Sequence, residues 1–298
     1  MSNYTMAFRT IEGSEKFKHM YDANLSLWKV DYESFYVTTR FGETHILAAG
    51  PKDAHPLILL HGFGFGATMW YANIHELSQQ YRTYAIDILA DFNLSVVTKP
   101  YKEKKDCAKW LSDVLHALEI DQTAVCGHSA GGWQAINFSI LYPEKVNKLI
   151  LLAPAASFIP FYKQFFVRLF SIMIIPKRSF VINSFCSWFV AKGNKVESSL
   201  FEQFYLGLKH YKFTKTIVPS VFSHEDFKKI NMPTLVMVGD KEVIYNYEKM
   251  LKKAQQLIPH INSKVIQNAG HALSIEQANE VNDHIIQFLN KKETIETL

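Results

Sequence analysis

The sequence is short of the features that mark several common classes. Its three cysteines, Cys107, Cys126 and Cys186, are odd in number and far apart, which leaves no disulfide framework and no paired metal-ligand spacing. This sparse usage suits a reducing compartment, so a cytoplasmic location is expected. No uninterrupted apolar stretch reaches the roughly 18 residues that a membrane span needs, and no stable membrane insertion is expected. The opening MSNYTMAFRTIEGSEKFKHMY is too charged for a signal-peptide core. The net charge of +4 over 298 residues is small and reads as unclustered. Lys102-Glu103-Lys104-Lys105 and Lys291-Lys292 read as solvated surface, so no nucleic-acid partner is expected. Internal repeats and low-complexity segments are absent. Gly62-x-Gly64-x-Gly66 departs from the dinucleotide-binding glycine pattern, and no Lys-Ser/Thr follows it, which argues against a nucleotide loop.

Strand-like and helix-like stretches alternate along most of the chain. SFYVTTR (34–40) and THILAAG (44–50) are rich in β-formers and read as a hairpin. PLILLHG (56–62), YRTYAID (81–87), QTAVCG (122–127), VNKLILLAP (146–154), PTLVMVG (233–239) and SKVIQNAG (263–270) read as buried strands. Between them, helical spacing is predicted over 68–80, 105–120, 131–142, 247–257 and 275–290. This pattern predicts an α/β fold with a doubly wound, mostly parallel sheet. Residues 1–154 and 232–298 form the expected core, with 1–30 as an N-terminal arm. Residues 155–231 are dense in phenylalanine and interrupted by Pro176; they read as a helical cap or lid inserted between two core strands. Lys163, Arg168, Lys177 and Arg178 punctuate the aromatics of this block, which raises contact with lipid, but packing over an apolar pocket is the reading adopted.

AVCGHSAGGW (124–133) contains Gly127-His128-Ser129-Ala130-Gly131. A Gly-x-Ser-x-Gly match alone says little. Here it follows a predicted buried strand and opens a predicted helix, as a nucleophile elbow requires. Gly127 and Gly131 let strand and helix approach, and the helix N-terminus aims its amides and dipole at the serine. A serine hydroxyl needs a base. Of twelve histidines, His271 sits in the loop after the last predicted strand, where such a base belongs. His284 falls within the final helix, His260 at the wrong end of a strand, and His210 and His224 in the insertion. The base needs a carboxylate to hold its tautomer. VMVGDKEVIY offers Asp240 and Glu242, and the residues alone leave both open. The backbone amides of Phe63, in LLHGFGFG (59–66), and of Ala130 are the natural oxyanion donors, with His61 and Gly62 bracing that loop.

In HGFGFG, GHSAGG, GDKEVIY and NAGHALSIEQ, taken in that order, the chain resembles the α/β-hydrolase superfamily. It looks most like bacterial carboxylesterase-like serine hydrolases with an N-terminal arm and an aromatic cap. The resemblance spans roughly residues 35 to 295, with the insertion after the sixth predicted strand. It implies a catalytic acid three places after the loop glycine. That place holds Glu242, a glutamate where the family often has aspartate. DILADFNLS (87–95) lacks the glycines the family often carries there.

The expected activity is cleavage of a small-molecule carboxylic ester through an acyl-enzyme, on a small to medium apolar substrate. Neither a metal nor a cofactor is implied. Carbon–carbon bond hydrolysis and other acyl hydrolysis use the same residues. The alternative from another class is a non-catalytic small-molecule receptor on a hydrolase scaffold, which an intact triad disfavours.

Overall fold

The computed structural model describes residues 3–214 and 216–291; Lys292 lies outside them. A 3-10 turn at Asn3–Ala7 leads to helix α1, Ile11–Leu25, whose N-cap Thr10 accepts from the Gly13 amide. The predicted hairpin is strands β1 (Tyr32–Thr39) and β2 (Gly42–Ala49), paired antiparallel. Strand β3 is Pro56–Leu60, followed by a 3-10 turn at Ala67–Ala72 and the short helix α2, Ile74–Ser78. Next come β4 (Arg82–Ile86), a two-residue strand β5 (Val96–Val97) and helix α3 (Lys104–Ala117). Strand β6 (Thr123–His128), helix α4 (Ala130–Leu141) and strand β7 (Val146–Leu152) complete the first part of the core.

The insertion contributes α5 (Lys163–Ile174), α6 (Arg178–Ser184), α7 (Ser198–His210) and the single turn α8 (His224–Phe227). The chain returns to the core with β8 (Thr234–Gly239), α9 (Tyr247–Leu257), β9 (Asn262–Ile266), α10 (Leu273–Glu276) and α11 (Ala278–Asn290). The sheet order is β1-β2-β4-β3-β6-β7-β8-β9, with β5 on β2. From β4 to β9 every pairing is parallel, while β2 runs antiparallel to each of its neighbours.

The apolar runs explain the middle of this sheet. Leu57 to Leu60, Leu149 to Leu152 and Val236 to Val238 are solvent-free, as strands with helices on both faces must be. Truncating any such leucine to alanine costs about 2–5 kcal/mol. The Trp110 indole of α3 donates to Thr44 Oγ1 at 2.8 Å, tying that helix to β2. Beneath α1, Tyr21 donates to Asp87, which also pairs with His45 Nδ1, both at 2.9 Å.

Three elements differ from the expectation, each because a side chain claims the backbone. The helix predicted over 68–80 is split at Asn73, whose amide donates to the Ser274 carbonyl and to Asn282. The last helix is split at Gln277, beside Glu276, whose carboxylate reaches back to the Gly270 amide. The strand predicted over 263–270 stops at Ile266, where Asn268 takes a positive φ of 53° and the Ala269 amide donates to Asp240. The two-residue β5 was not anticipated; counting it, the insertion follows the seventh strand.

Candidate active site

Strand β6 ends at His128 and helix α4 begins at Ala130, so Ser129 alone makes the turn. Its φ of 52° and ψ of −115° lie where side-chain-bearing residues are strained, at a cost of about 1–3 kcal/mol. Neighbouring backbone over-determines that conformation. The Ser129 amide donates to the Leu152 carbonyl at 2.8 Å, and the Ser129 carbonyl accepts from Trp133 and Ala155 at 3.1 and 3.0 Å. The flanking glycines have a steric reason. A Cβ on Gly127 would lie 2.3 Å from the Gly131 carbonyl oxygen, and one on Gly131 would lie 2.2 Å from that of Leu60.

Loops from three other strands meet this serine at the carboxyl edge of the sheet. After β9, His271 places Nε2 2.8 Å from Ser129 Oγ and Nδ1 2.8 Å from Glu242 Oε2. The Glu242 side chain is fully buried, and its Oε1 accepts the amides of Val243 and Ile244 at 2.7 and 3.0 Å. Asp240 stands apart from this chain. Its carboxylate pairs with Lys241 at 2.8 Å and accepts the Ala269 amide at 3.2 Å. Partial burial opposes ionisation of Asp240, but these partners outweigh it and hold the carboxyl below its usual range. The other histidines lie elsewhere: His210 packs on Gly13, the His224 side chain is exposed, and His284 lies 3.9 Å from Glu280.

The loop after β3 lies alongside, since a Cβ on Gly62 would sit 3.5 Å from that of Ser129. His61 braces it. Its Nδ1 donates to the Gly62 carbonyl at 2.9 Å, and its Nε2 accepts the Ile88 amide at 2.9 Å. Among the described residues, no protein acceptor takes the amide of Phe63 or of Ala130, and both residues border the cavity above Ser129.

Sequence reasoning missed Asp91. Its carboxylate accepts the Gly64 amide at 2.9 Å and the Phe92 amide at 2.7 Å. Burial nevertheless pushes its carboxyl up. DILADFNLS has no family glycines, and an aspartate supplies the order instead; only an acid stranded among apolar residues hinted at it. Asp91→Ala frees the Gly64 amide and should lower kcat by about 10–100-fold, with a smaller change in KM, because this loop carries Phe63, the expected oxyanion donor, and displacing such a donor weakens the transition state more than the ground state. Steady-state kinetics on a short soluble ester checks this split.

Glu276 was missed too. It accepts the Gly270 amide at 2.9 Å, the Ala191 amide at 2.7 Å and Asn194 at 2.8 Å, so it ties the His271 loop to the insertion. His128 also supports that loop, donating from Nε2 to the His271 carbonyl at 2.8 Å. Burial lowers the His128 pKa to about 3, so this ring is neutral wherever an esterase is assayed.

The cavity over Ser129 measures about 370 Å³. Ser129, His128 and His271 line its floor, and Phe161, Phe165, Phe185, Phe189 and Phe204 enclose it. A wider groove of about 560 Å³ runs beside β1 and β2 and shares no residue with it. Its Arg82 is already paired with Glu33 at 2.7 Å. A second chain of similar atoms, Ser34 Oγ–His45 Nε2 and His45 Nδ1–Asp87 Oδ2, each 2.9 Å, lines neither space. Asp87 there accepts Tyr21 and the Ala67 amide, which makes it a tie between arm and sheet.

Residues 55–185 match the sequence family described as the α/β hydrolase fold. The carboxylesterase YbfK of Bacillus subtilis strain 168 is 36% identical over 291 residues, covering 96% of this chain and 97% of its own. The chain belongs to the α/β-hydrolase carboxylesterases. The crystal structure of carboxylesterase CesB (YbfK) from Bacillus subtilis aligns with this hydrolase at a TM-score of 0.89 and 35% identity, covering 94% of this chain and 99% of that one. That of naproxen esterase from the same species aligns at 0.89 and 36%, covering 95% and 100%. Among the described residues of the hydrolase, no helix is long and apolar enough to cross a membrane.

Proposed function

We propose that Ser129, His271 and Glu242 hydrolyse carboxylic esters carrying an apolar acyl or alcohol group, through an acyl-enzyme, beneath a cap formed by the insertion at 155–231. The observation that carries the reading is the unbroken chain from Ser129 Oγ through His271 to Glu242, two contacts of 2.8 Å on the floor of a phenylalanine-walled cavity.

In this mechanism Glu242 receives the Nδ1–H of His271, which leaves Nε2 unprotonated and facing Ser129. Ser129 Oγ attacks the ester carbonyl carbon while Nε2 takes the hydroxyl proton. The carbonyl oxygen becomes an oxyanion between the amides of Phe63 and Ala130, at the N-terminus of α4. As the intermediate collapses, His271 passes its proton to the alcohol oxygen, and the alcohol leaves. Water then adds to the acyl-enzyme with His271 again as base, and the acid departs as the proton returns to Ser129. The positive φ at Ser129 and the tie from Asp91 to Gly64 serve the same end, since both hold groups in place before substrate arrives.

The enclosing phenylalanines offer apolar contact and few hydrogen-bond partners, so discrimination rests on shape and apolar area. On p-nitrophenyl esters of increasing acyl length, kcat/KM is expected to rise about fourfold per methylene while the cavity fills, at roughly 0.8 kcal/mol per buried CH₂, and then to fall. A profile flat with chain length, or highest for charged acyl groups, would contradict an apolar acyl site. The three buried, unpaired cysteines fit the cytoplasm as its place of work.

A further inference from the structure

The net charge of +4 hides a segregation. The insertion at 155–231 carries 11 lysine and arginine residues against four acids, a net +7, so the rest of the chain is net −3. The expectation of unclustered charge is corrected by this count. Between Glu144 and Glu197 there is no acidic residue at all.

Helix α5 is the centre of this segment, and it carries apolar stripes on two opposite faces, with Gln164, Arg168 and Ser171 between them on one side. One stripe, with Phe165, Leu169 and Ile172, lines the cavity over Ser129. The opposite stripe is Lys163, Val167, Phe170 and Ile174, spaced i, i+4, i+7 and i+11. It faces solvent, with Val167 67%, Phe170 58% and Ile174 79% exposed. A solvent-facing apolar stripe on a helix whose opposite stripe already lines the cavity suits contact with lipid or a partner. The expected packed cap therefore holds for only one side of α5.

The exposed side also runs into the cavity. Phe166, Met173, Phe213 and Val218 line that cavity and are yet 37%, 53%, 48% and 63% exposed. The cations are placed to match. Lys163 begins α5 and Lys177 follows its end, and neither makes an ion pair among the described residues. By contrast, Arg178 is paired with Glu202, and Arg168 lies 4.7 Å over Trp188.

We infer that the outward face of α5, with the neighbouring Phe213, Val218 and Val221, docks on the surface of an anionic phospholipid bilayer, with the cavity mouth turned toward the lipid. The helix, about 18 Å long, lies in the interface. Val167, Phe170 and Ile174 sink between acyl chains, and Lys163 and Lys177 rest among the headgroup phosphates. The apolar area between the cations favours lipid over a nucleic acid, whose backbone asks for polar donors along its track. An apolar ester dissolved in the bilayer then reaches Ser129 without crossing water. The docking is a surface property and does not depend on the triad.

Co-flotation with vesicles tests this on full-length Ser129→Ala protein, which removes turnover from the readout. Strong partition onto vesicles of phosphatidylcholine mixed with phosphatidylglycerol is expected, and weak partition onto phosphatidylcholine alone. Phe170→Ser with Ile174→Ser should cut that partition by more than about tenfold. Lys163→Gln with Lys177→Gln should cut it by about fivefold per cation and flatten its dependence on salt. In the active enzyme, both pairs should leave kcat/KM on a water-soluble acetate ester unchanged, since none of the four residues lines the cavity. Equal partition of parent and variants, or no partition of the parent onto either vesicle, overturns the proposal. So does a dimer in light scattering that the Phe170/Ile174 pair breaks without any vesicle binding, which assigns the face to a second copy. Loss of docking with ester hydrolysis intact leaves the triad reading standing, and the converse separates the two as cleanly.

Discussion

Ser129→Ala should lower kcat on a p-nitrophenyl ester by about 10⁴–10⁶, with the folded state retained. The loss is large because in the proposed mechanism the Ser129 oxygen bonds to the acyl group, and among the described residues no neighbouring nucleophile lies on the cavity floor. Cys126, in the same strand, is fully buried with its thiol held protonated by burial, and His128 keeps its one donor on the His271 carbonyl. The residual rate should come from the Phe63 and Ala130 amides and from substrate binding alone. Alanine takes a positive φ less readily than glycine, yet serine already bears a Cβ there, so little stability should change. A fluorophosphonate probe should label the parent at Ser129 and leave the variant unlabelled. Full esterase activity in Ser129→Ala would remove the serine mechanism.

The second large effect separates two carboxylates lying two residues apart. Glu242→Gln should reduce kcat by about 10³–10⁴, and Asp240→Asn by no more than about threefold. The reason lies in the fixed polarity around Glu242. Its Oε1 is held by the amides of Val243 and Ile244, which only an oxygen can satisfy. A glutamine there must therefore turn its NH₂ toward His271 Nδ1. That nitrogen becomes an acceptor, the ring proton moves to Nε2, and the ring can no longer take the Ser129 proton. Asp240 has no such link; its partners are Lys241 and the Ala269 amide, so the cost of Asp240→Asn should appear mainly in the stability of the loop before His271. Thermal melting beside kinetics distinguishes these outcomes. Activity lost in Asp240→Asn and kept in Glu242→Gln would exchange the two roles.

Much of the fold was legible because its signals are local. Continuous apolar runs mark strands with both faces covered, and the strand–Gly-x-Ser-x-Gly–helix pattern reflects a close approach that only a missing Cβ allows at Gly127 and Gly131. The order of Ser129, the acids and His271 along the chain was equally open to view. Breaks inside elements were not, because each depends on a distant partner: Asn73 on Asn282, Glu276 on Gly270, Asn268 beside the Asp240–Ala269 contact.

At the site, sequence alone put a serine at a turn, a histidine after the last strand and two carboxylates within reach of it. Only the tertiary structure decided that Oε2 of Glu242 stands against His271, that Asp91 holds the Gly64 amide, and that α5 leaves Val167, Phe170 and Ile174 in solvent. The physical reason is common to all three. Local chemistry determines which elements form, but contacts between loops of different strands follow from their relative placement. A helix with apolar stripes on two opposite faces carries no pattern in its sequence to say which of them the protein covers.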